Sequence, residues 1–215
     1  MIERTDAKNY LPLNATGIIL AGGKSSRFGR DKALEPIDGK PLIQRIKEDF
    51  DILFQEVIII ANEPEKYEFL GVDIHKDIIP GLGPIGGLFT GLTVTGCDWS
   101  FFAACDMPFI NKRLVRALAA LRPGYDVVAP RIGWKIEPLH AFYHRRCLDP
   151  LREIIESGQR QIIPLFKQVR VRFVEEEEIR AIDPELTSFF NINFPEDVPA
   201  PFSGRPKESG PEKTS

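Results

Sequence analysis

The chain has 215 residues and a net charge of −3, which suits one large domain or two small ones and is ample for a sizeable core. The mild acidic balance supplies no global field for nucleic acid, so basic residues must act locally. No apolar run approaches the ~20 residues of a membrane helix, and the opening MIERTDAKNYLPLN lacks the basic-then-apolar order of a signal peptide. A cytoplasmic protein with no nucleic-acid and no membrane partner is expected.

Residues 1–15 read as an N-terminal extension. Residues 17–20 form a short apolar run, a strand buried on both faces. It leads through Leu20 and Ala21 into Gly22-Gly23-Lys24-Ser25-Ser26-Arg27-Phe28-Gly29-Arg30-Asp31-Lys32. Gly22 and Gly23 lack Cβ, so the backbone can turn sharply and approach a ligand. Successive N–H groups can then point at phosphate oxygens. Ser25 and Ser26 offer hydroxyl donors or a cap for a short helix, while Arg27 and Lys32 concentrate positive charge. The spacing fits neither a Walker A loop nor a dinucleotide fingerprint. A plain surface turn would not require basic residues interleaved with glycine and serine directly after a buried strand.

Residues 41–54 follow as an amphipathic helix, with Pro41 at its first position and Leu42, Ile43, Ile46, Phe50 and Leu53 at helical spacing. A second buried strand, 57–61, ends at Asn62, which can be a turn residue before Pro64 or a donor to a base or ribose. Asp77 precedes a Gly- and Pro-rich loop that feeds a helix at 85–95. Gly83, Gly86 and Gly87 there serve close ligand approach or tight helix packing. The strand 100–104 runs into Cys105 and Asp106, and Pro108 stops it, so Asp106 lies at a carboxyl end. Mg²⁺ takes one or two carboxylates plus phosphate oxygens, which makes Asp106 a candidate metal ligand; a helix cap is the alternative, although Asn111 is better placed as a cap. Cys97, Cys105 and Cys147 show no CxxC spacing, so neither a zinc site nor a disulfide framework is indicated.

A helix at 111–121, a strand at 126–129 and a hairpin around Gly133 come next. Glu137 to Tyr143 contains His140, which can be a polar strand residue, a contact to a substrate phosphate or a base. A helix over 145–157 stops at Gly158, and a strand over 169–174 meets the acidic run 175–178, a helix start. Asn191 and Asn193 alternate onto one side of an extended segment before Pro195. From residue 199 the chain is Pro, Gly, Ser and charge and is read as a disordered tail. Strands alternating with helices imply an α/β fold of three layers: a mainly parallel sheet with helices on both sides and ligands at the carboxyl strand ends.

LAGGKSSRFGRDKAL resembles the signature loop of the molybdenum cofactor guanylyltransferases, with phenylalanine at position 28 where methionine is usual. The segments around Asp106-Met107-Pro108, the GPxxG-like loop, Glu137 to Tyr143 and Asn191 to Asp197 are similar to further motifs of that family, so the resemblance spans residues 16–197. It implies a Rossmann-like nucleotidyltransferase domain at 16–198. It also implies nucleotide contacts from Leu20, Ala21, Gly22, Gly23, Lys32, Asn62, Asp77, Gly83, Gly87 and Asp106, and a metal at Asp106. Arg27, Lys32 and Asp106 would carry the chemistry, with Asn191, Asn193 and His140 toward the second substrate.

The reaction so implied is transfer of GMP from GTP, with Mg²⁺, to the terminal phosphate of a molybdenum-pterin cofactor, releasing pyrophosphate. The attacking group is already an anion, so the task is charge compensation and alignment rather than general-base catalysis. Transient contact with cofactor-delivering or acceptor proteins would follow from that role. Related cytidylyltransferases carry alanine before a single glycine, so the Gly22-Gly23 pair favours guanine. The alternatives are a cytidylyltransferase on the same or another phosphorylated substrate, and a non-catalytic nucleotide or pterin carrier, which would bind nucleotide without regard to Mg²⁺.

Overall fold

The structure is a computed structural model that describes residues 11–22, 31–37, 39–192 and 197. In chain order its elements are β1 (Leu13–Ala21), β2 (Pro36–Ile37), β3 (Lys40–Pro41), α1 (Leu42–Leu53), β4 (Phe54–Ala61), β5 (Asp73–His75), α2 (Pro84–Val94), β6 (Trp99–Ala104) and α3 (Lys112–Ala120). These are followed by β7 (Val127–Ile132), β8 (Lys135–Ile136), β9 (His140–His144), α4 (Leu148–Glu156), β10 (Val171–Glu175) and α5 (Glu176–Arg180). β1 begins earlier than expected, at Leu13, and Ala15 is wholly buried, so the sheet reaches into the expected N-terminal extension. The expected disordered tail lies outside the described residues.

The main sheet runs β10-β7-β9-β6-β1-β4-β5, with β8 paired to β7. β1 is parallel to β4 and β6, and β4 to β5. β9 is antiparallel to both β6 and β7, so β7 again runs in the direction of β1. Alternation along the strands separates the core into two layers. Ile19, Ile59, Phe101 and Phe142 face α1, α3 and α5, whereas Ile18, Ile58, Phe102 and Tyr143 face α2 and α4. The mainly parallel sheet covered on both faces is the expected three-layer α/β architecture.

Local sequence explains most boundaries. Asn111 caps α3 as anticipated, its Oδ1 accepting the N–H groups of Arg113 and Leu114 at 3.1 and 3.2 Å. Glu175 and Glu178 form a reciprocal capping box for α5, which accounts for the acidic run. The expected helix over 145–157 divides into a 3₁₀ turn, Arg145–Cys147, and α4. α2 approaches the sheet closely because Gly91 carries no side chain: a Cβ there would lie 2.7 Å from Phe102 and 2.9 Å from Ile18.

Candidate active site

The register brings the decisive strand ends to one level. Ala21 pairs with Ala61 and Leu20 with Ala104, so Gly22, Asn62 and Cys105 emerge side by side at the carboxyl edge. The Cys105 N–H donates to the Leu20 carbonyl at 3.1 Å, which ties the end of β6 to the end of β1. Burial pushes the Cys105 thiol up to about 12, and the Gly22 amide that donates to it offsets this only in part. It is therefore a protonated packing residue at neutral pH.

Gly22 has φ of 142°, a conformation suited to glycine, and a Cβ placed there would come within 3.8 Å of the Asn62 amide nitrogen. Asn62 is exposed at this edge. Gly23 and Arg27 lie outside the described residues. Asp31 caps a 3₁₀ turn at Lys32–Leu34 by accepting the Ala33 N–H at 3.1 Å. Lys32 then projects onto Asp106, with its ammonium 3.4 Å from Oδ2. The side chains are 13% and 33% exposed, so the pair is accessible to a ligand.

Asp106 sits in the turn after β6, where the Met107 N–H donates to the Ala104 carbonyl. Its own carbonyl accepts the Ile192 N–H at 2.8 Å. That bond, with Ile192 buried beside Ile37, Leu42 and Phe109, brings the C-terminal Asn191 segment to the Asp106 turn. Asn191 donates to the Phe189 carbonyl at 3.4 Å, and Asn193 lies outside the described residues. This link from the chain's end to the strand turn has no counterpart in local pattern.

α2 points its N-terminus toward the same edge. Gly83, its N-cap, has φ of 68° and ψ of −143°, which requires glycine, and a Cβ on Gly87 would meet the Leu20 side chain at 3.1 Å. Conformation and packing thus account for these glycines without a ligand. The Ile78 N–H donates to Thr90 Oγ1 at 2.9 Å and anchors the preceding loop to α2. Asp77 Oδ1 is buried without a partner, and burial raises this carboxyl above its ordinary value.

His140 corrects an expectation. Its side chain is wholly buried on β9 between Phe101 and Phe189, with ring centroids 5.1 and 5.0 Å away, and neither ring nitrogen has a partner. Enclosed in the core, it cannot contact a substrate phosphate. Burial depresses its pKa to about 4, with Asp183 pulling weakly the other way. A histidine held neutral in the fold destabilises it on acidification. The unfolded chain takes up a proton below pH 6.5, while the folded chain does so only below about 4. Stability should fall across this window, by on the order of 3 kcal/mol. His140→Leu should flatten that segment of the stability–pH profile in urea melts; an unchanged profile would refute the assignment.

Among the described residues, no group of three or more His, Cys, Asp or Glu is clustered to hold a metal. A closed protein cage is therefore not formed there. A single carboxylate beside a lysine instead suits a cation that takes its remaining ligands from phosphate oxygens.

A mainly parallel sheet that gathers a glycine turn, a lysine and a carboxylate at its carboxyl edge is the architecture of an α/β protein that takes its ligand at the strand ends. Residues 17–171 match the MobA-like NTP transferase domain, and the chain belongs to that family. A Pelotomaculum thermopropionicum protein named "Probable molybdenum cofactor guanylyltransferase" is 37% identical over 86% of this chain and 91% of its own length. The molybdenum cofactor guanylyltransferase of Desulfosudis oleivorans is 35% identical over 85% and 92%. The molybdopterin-guanine dinucleotide biosynthesis protein A of Archaeoglobus fulgidus superposes with a TM-score of 0.73 at 30% identity, covering 85% of this chain and 94% of that one. No helix among the described residues is long and apolar enough to cross a membrane.

Proposed function

We propose that this enzyme transfers GMP from GTP to the terminal phosphate of a molybdenum-pterin cofactor and releases pyrophosphate. The observation that carries the reading is the Lys32–Asp106 pair, 3.4 Å apart where the carboxyl ends of β1 and β6 meet. The names of the relatives support the choice of substrates.

The chain's own residues divide the work. The backbone at Leu20, Ala21 and Gly22, with Gly23 beyond, admits the triphosphate to the strand ends without side-chain hindrance. Lys32 offsets charge on the phosphate oxygens, and Arg27 adds to it from the same loop. Asp106 would hold Mg²⁺, which supplies charge compensation to the phosphates when bound. Asn62 and Asp77 border the nucleotide; the unpartnered oxygen of Asp77 is an acceptor suited to the N–H groups of a base. Asn191, on the segment tied to Asp106, would address the second substrate, a role the family resemblance extends to Asn193. Attack by one phosphate on another needs the two anions aligned and neutralised, which this arrangement favours.

A screen of nucleotides for pyrophosphate release tests this. Turnover with GTP, Mg²⁺ and the molybdenum-bound pterin is expected. CTP-dependent release without GTP activity would replace it by cytidylyl transfer, and nucleotide binding indifferent to Mg²⁺ with no product would leave a carrier.

A further inference from the structure

Asp31 is the acidic residue of a basic loop, and phosphate chemistry alone gives it no role, since a carboxylate repels a triphosphate. Its contacts give it a mechanical one. Oδ1 accepts the Ala33 N–H at 3.1 Å, and the Asp31 carbonyl accepts the Leu34 N–H at 3.1 Å. Oδ2 accepts the hydroxyl of Tyr67 at 2.7 Å, with the Lys66 ammonium at 3.8 Å from the same oxygen. Both carboxylate oxygens are thereby committed, and the turn that carries Lys32 is pinned at its first residue.

Tyr67 is a firm anchor for that turn. It is 2% exposed and belongs to the same buried cluster as Ala33, Ile43 and Ile46, so its ring position is set by packing. It follows β4 and lies between the 3₁₀ turns Pro64–Lys66 and Glu68–Leu70, just beyond Asn62. Burial and the Asp31 carboxylate raise its hydroxyl above the usual tyrosine range, so it remains a donor at all working pH values. Its partner is a residue of the phosphate loop rather than of its own neighbourhood.

We propose that Tyr67 is a positioning residue for nucleotidyl transfer, holding through Asp31 the turn that aims Lys32 at Asp106 and the nucleotide phosphates. This rests on the nucleotidyltransfer reading but not on the identity of the base. An ammonium displaced by a fraction of an ångström loses its place against the transition-state charge more than its contact with ground-state phosphate. Removing the Tyr67 hydroxyl should therefore lower kcat more than it raises KM.

The test is Tyr67→Phe in the full chain, assayed by pyrophosphate release with whichever nucleoside triphosphate the wild type turns over. A fall in kcat of about tenfold with KM changed less than about threefold is expected. The same substitution added to Lys32→Ala should cost nothing further in kcat/KM. Amide exchange at Ala33 and Leu34 should quicken while the core strands keep their protection. Wild-type kcat in Tyr67→Phe, or an equal loss in the Lys32→Ala background, would overturn the proposal. Should the phenylalanine variant fail to fold, Asp31→Asn is expected to act in the same direction, and full activity there would overturn it equally. Turnover with CTP in place of GTP would refute the guanine reading and leave these comparisons in force. If no triphosphate is turned over, unchanged exchange at Ala33 decides against it.

Discussion

Lys32→Ala is expected to lower kcat/KM for pyrophosphate release by about 10²- to 10³-fold, the cost of removing one pre-aligned charge donor from a phosphoryl-type transition state. The lysine is placed by a short 3₁₀ turn capped at Asp31 rather than by a long helix, and its ammonium reaches Asp106 at 3.4 Å. Stability should hardly change. A partly exposed ion pair contributes at most about 1 kcal/mol, which in a chain of this size moves Tm by a few degrees. Lys32→Arg should recover part of the activity, since it restores charge but not the compact ammonium geometry. Near-normal turnover in the alanine variant, measured with saturating Mg²⁺, would remove Lys32 from the reaction.

Asp106→Asn is expected to cause a loss of similar size, about 10²- to 10³-fold in kcat, with a raised Mg²⁺ concentration for half-maximal rate. Asparagine preserves the shape of the turn, and the Ile192 N–H bonds the backbone carbonyl of residue 106, which the substitution keeps. The C-terminal segment should therefore stay docked, and the effect should report the lost charge. A steady-state Mg²⁺ titration separates the outcomes. An unchanged Mg²⁺ dependence would show that the cation is held without Asp106, whereas a loss that excess Mg²⁺ largely restores supports the assignment. Asp106→Ala would be less clean, because it also removes the side chain that faces Lys32.

These expectations concern groups whose types were legible from local sequence. The strand before Gly22 showed itself by an apolar run, and the loop by glycine and basic residues at spacings no ordinary turn needs. Asn111 as the cap of α3 and the acidic start of α5 followed from side-chain oxygens reaching nearby amides, which is short-range chemistry. His140 could not be placed this way. A histidine in an alternating strand is compatible with either face, and only the packing of Phe101 on β6 and of Phe189 near the C-terminus shows that it faces the core. Tyr67 carries no local signal for a related reason: nothing in Tyr67-Glu68-Phe69 marks Asp31 as its partner.

The glycines divide in an instructive way. Gly22 is required where the backbone turns at φ of 142° beside Asn62. Gly83 is required by conformation, and Gly87 and Gly91 by the closeness of α2 to Leu20, Ile18 and Phe102. A glycine in sequence announces that something must come close, but not whether that is a ligand or the next layer of the fold.

By itself, the sequence determined the alternation of strands and helices and the three-layer α/β arrangement, because periodicity, caps and turn residues act over a few residues; phosphate binding by the loop was its expectation. Only the tertiary structure decided which side chains meet. Lys32 lies on Asp106 because β1 and β6 are adjacent and in register, although β4 and β5 intervene in the chain. Ile192 reaches the Asp106 turn, and Tyr67 reaches Asp31, through packing of distant segments. Those meetings are made by burial of apolar surface, which is non-directional and leaves no local signature of its partner.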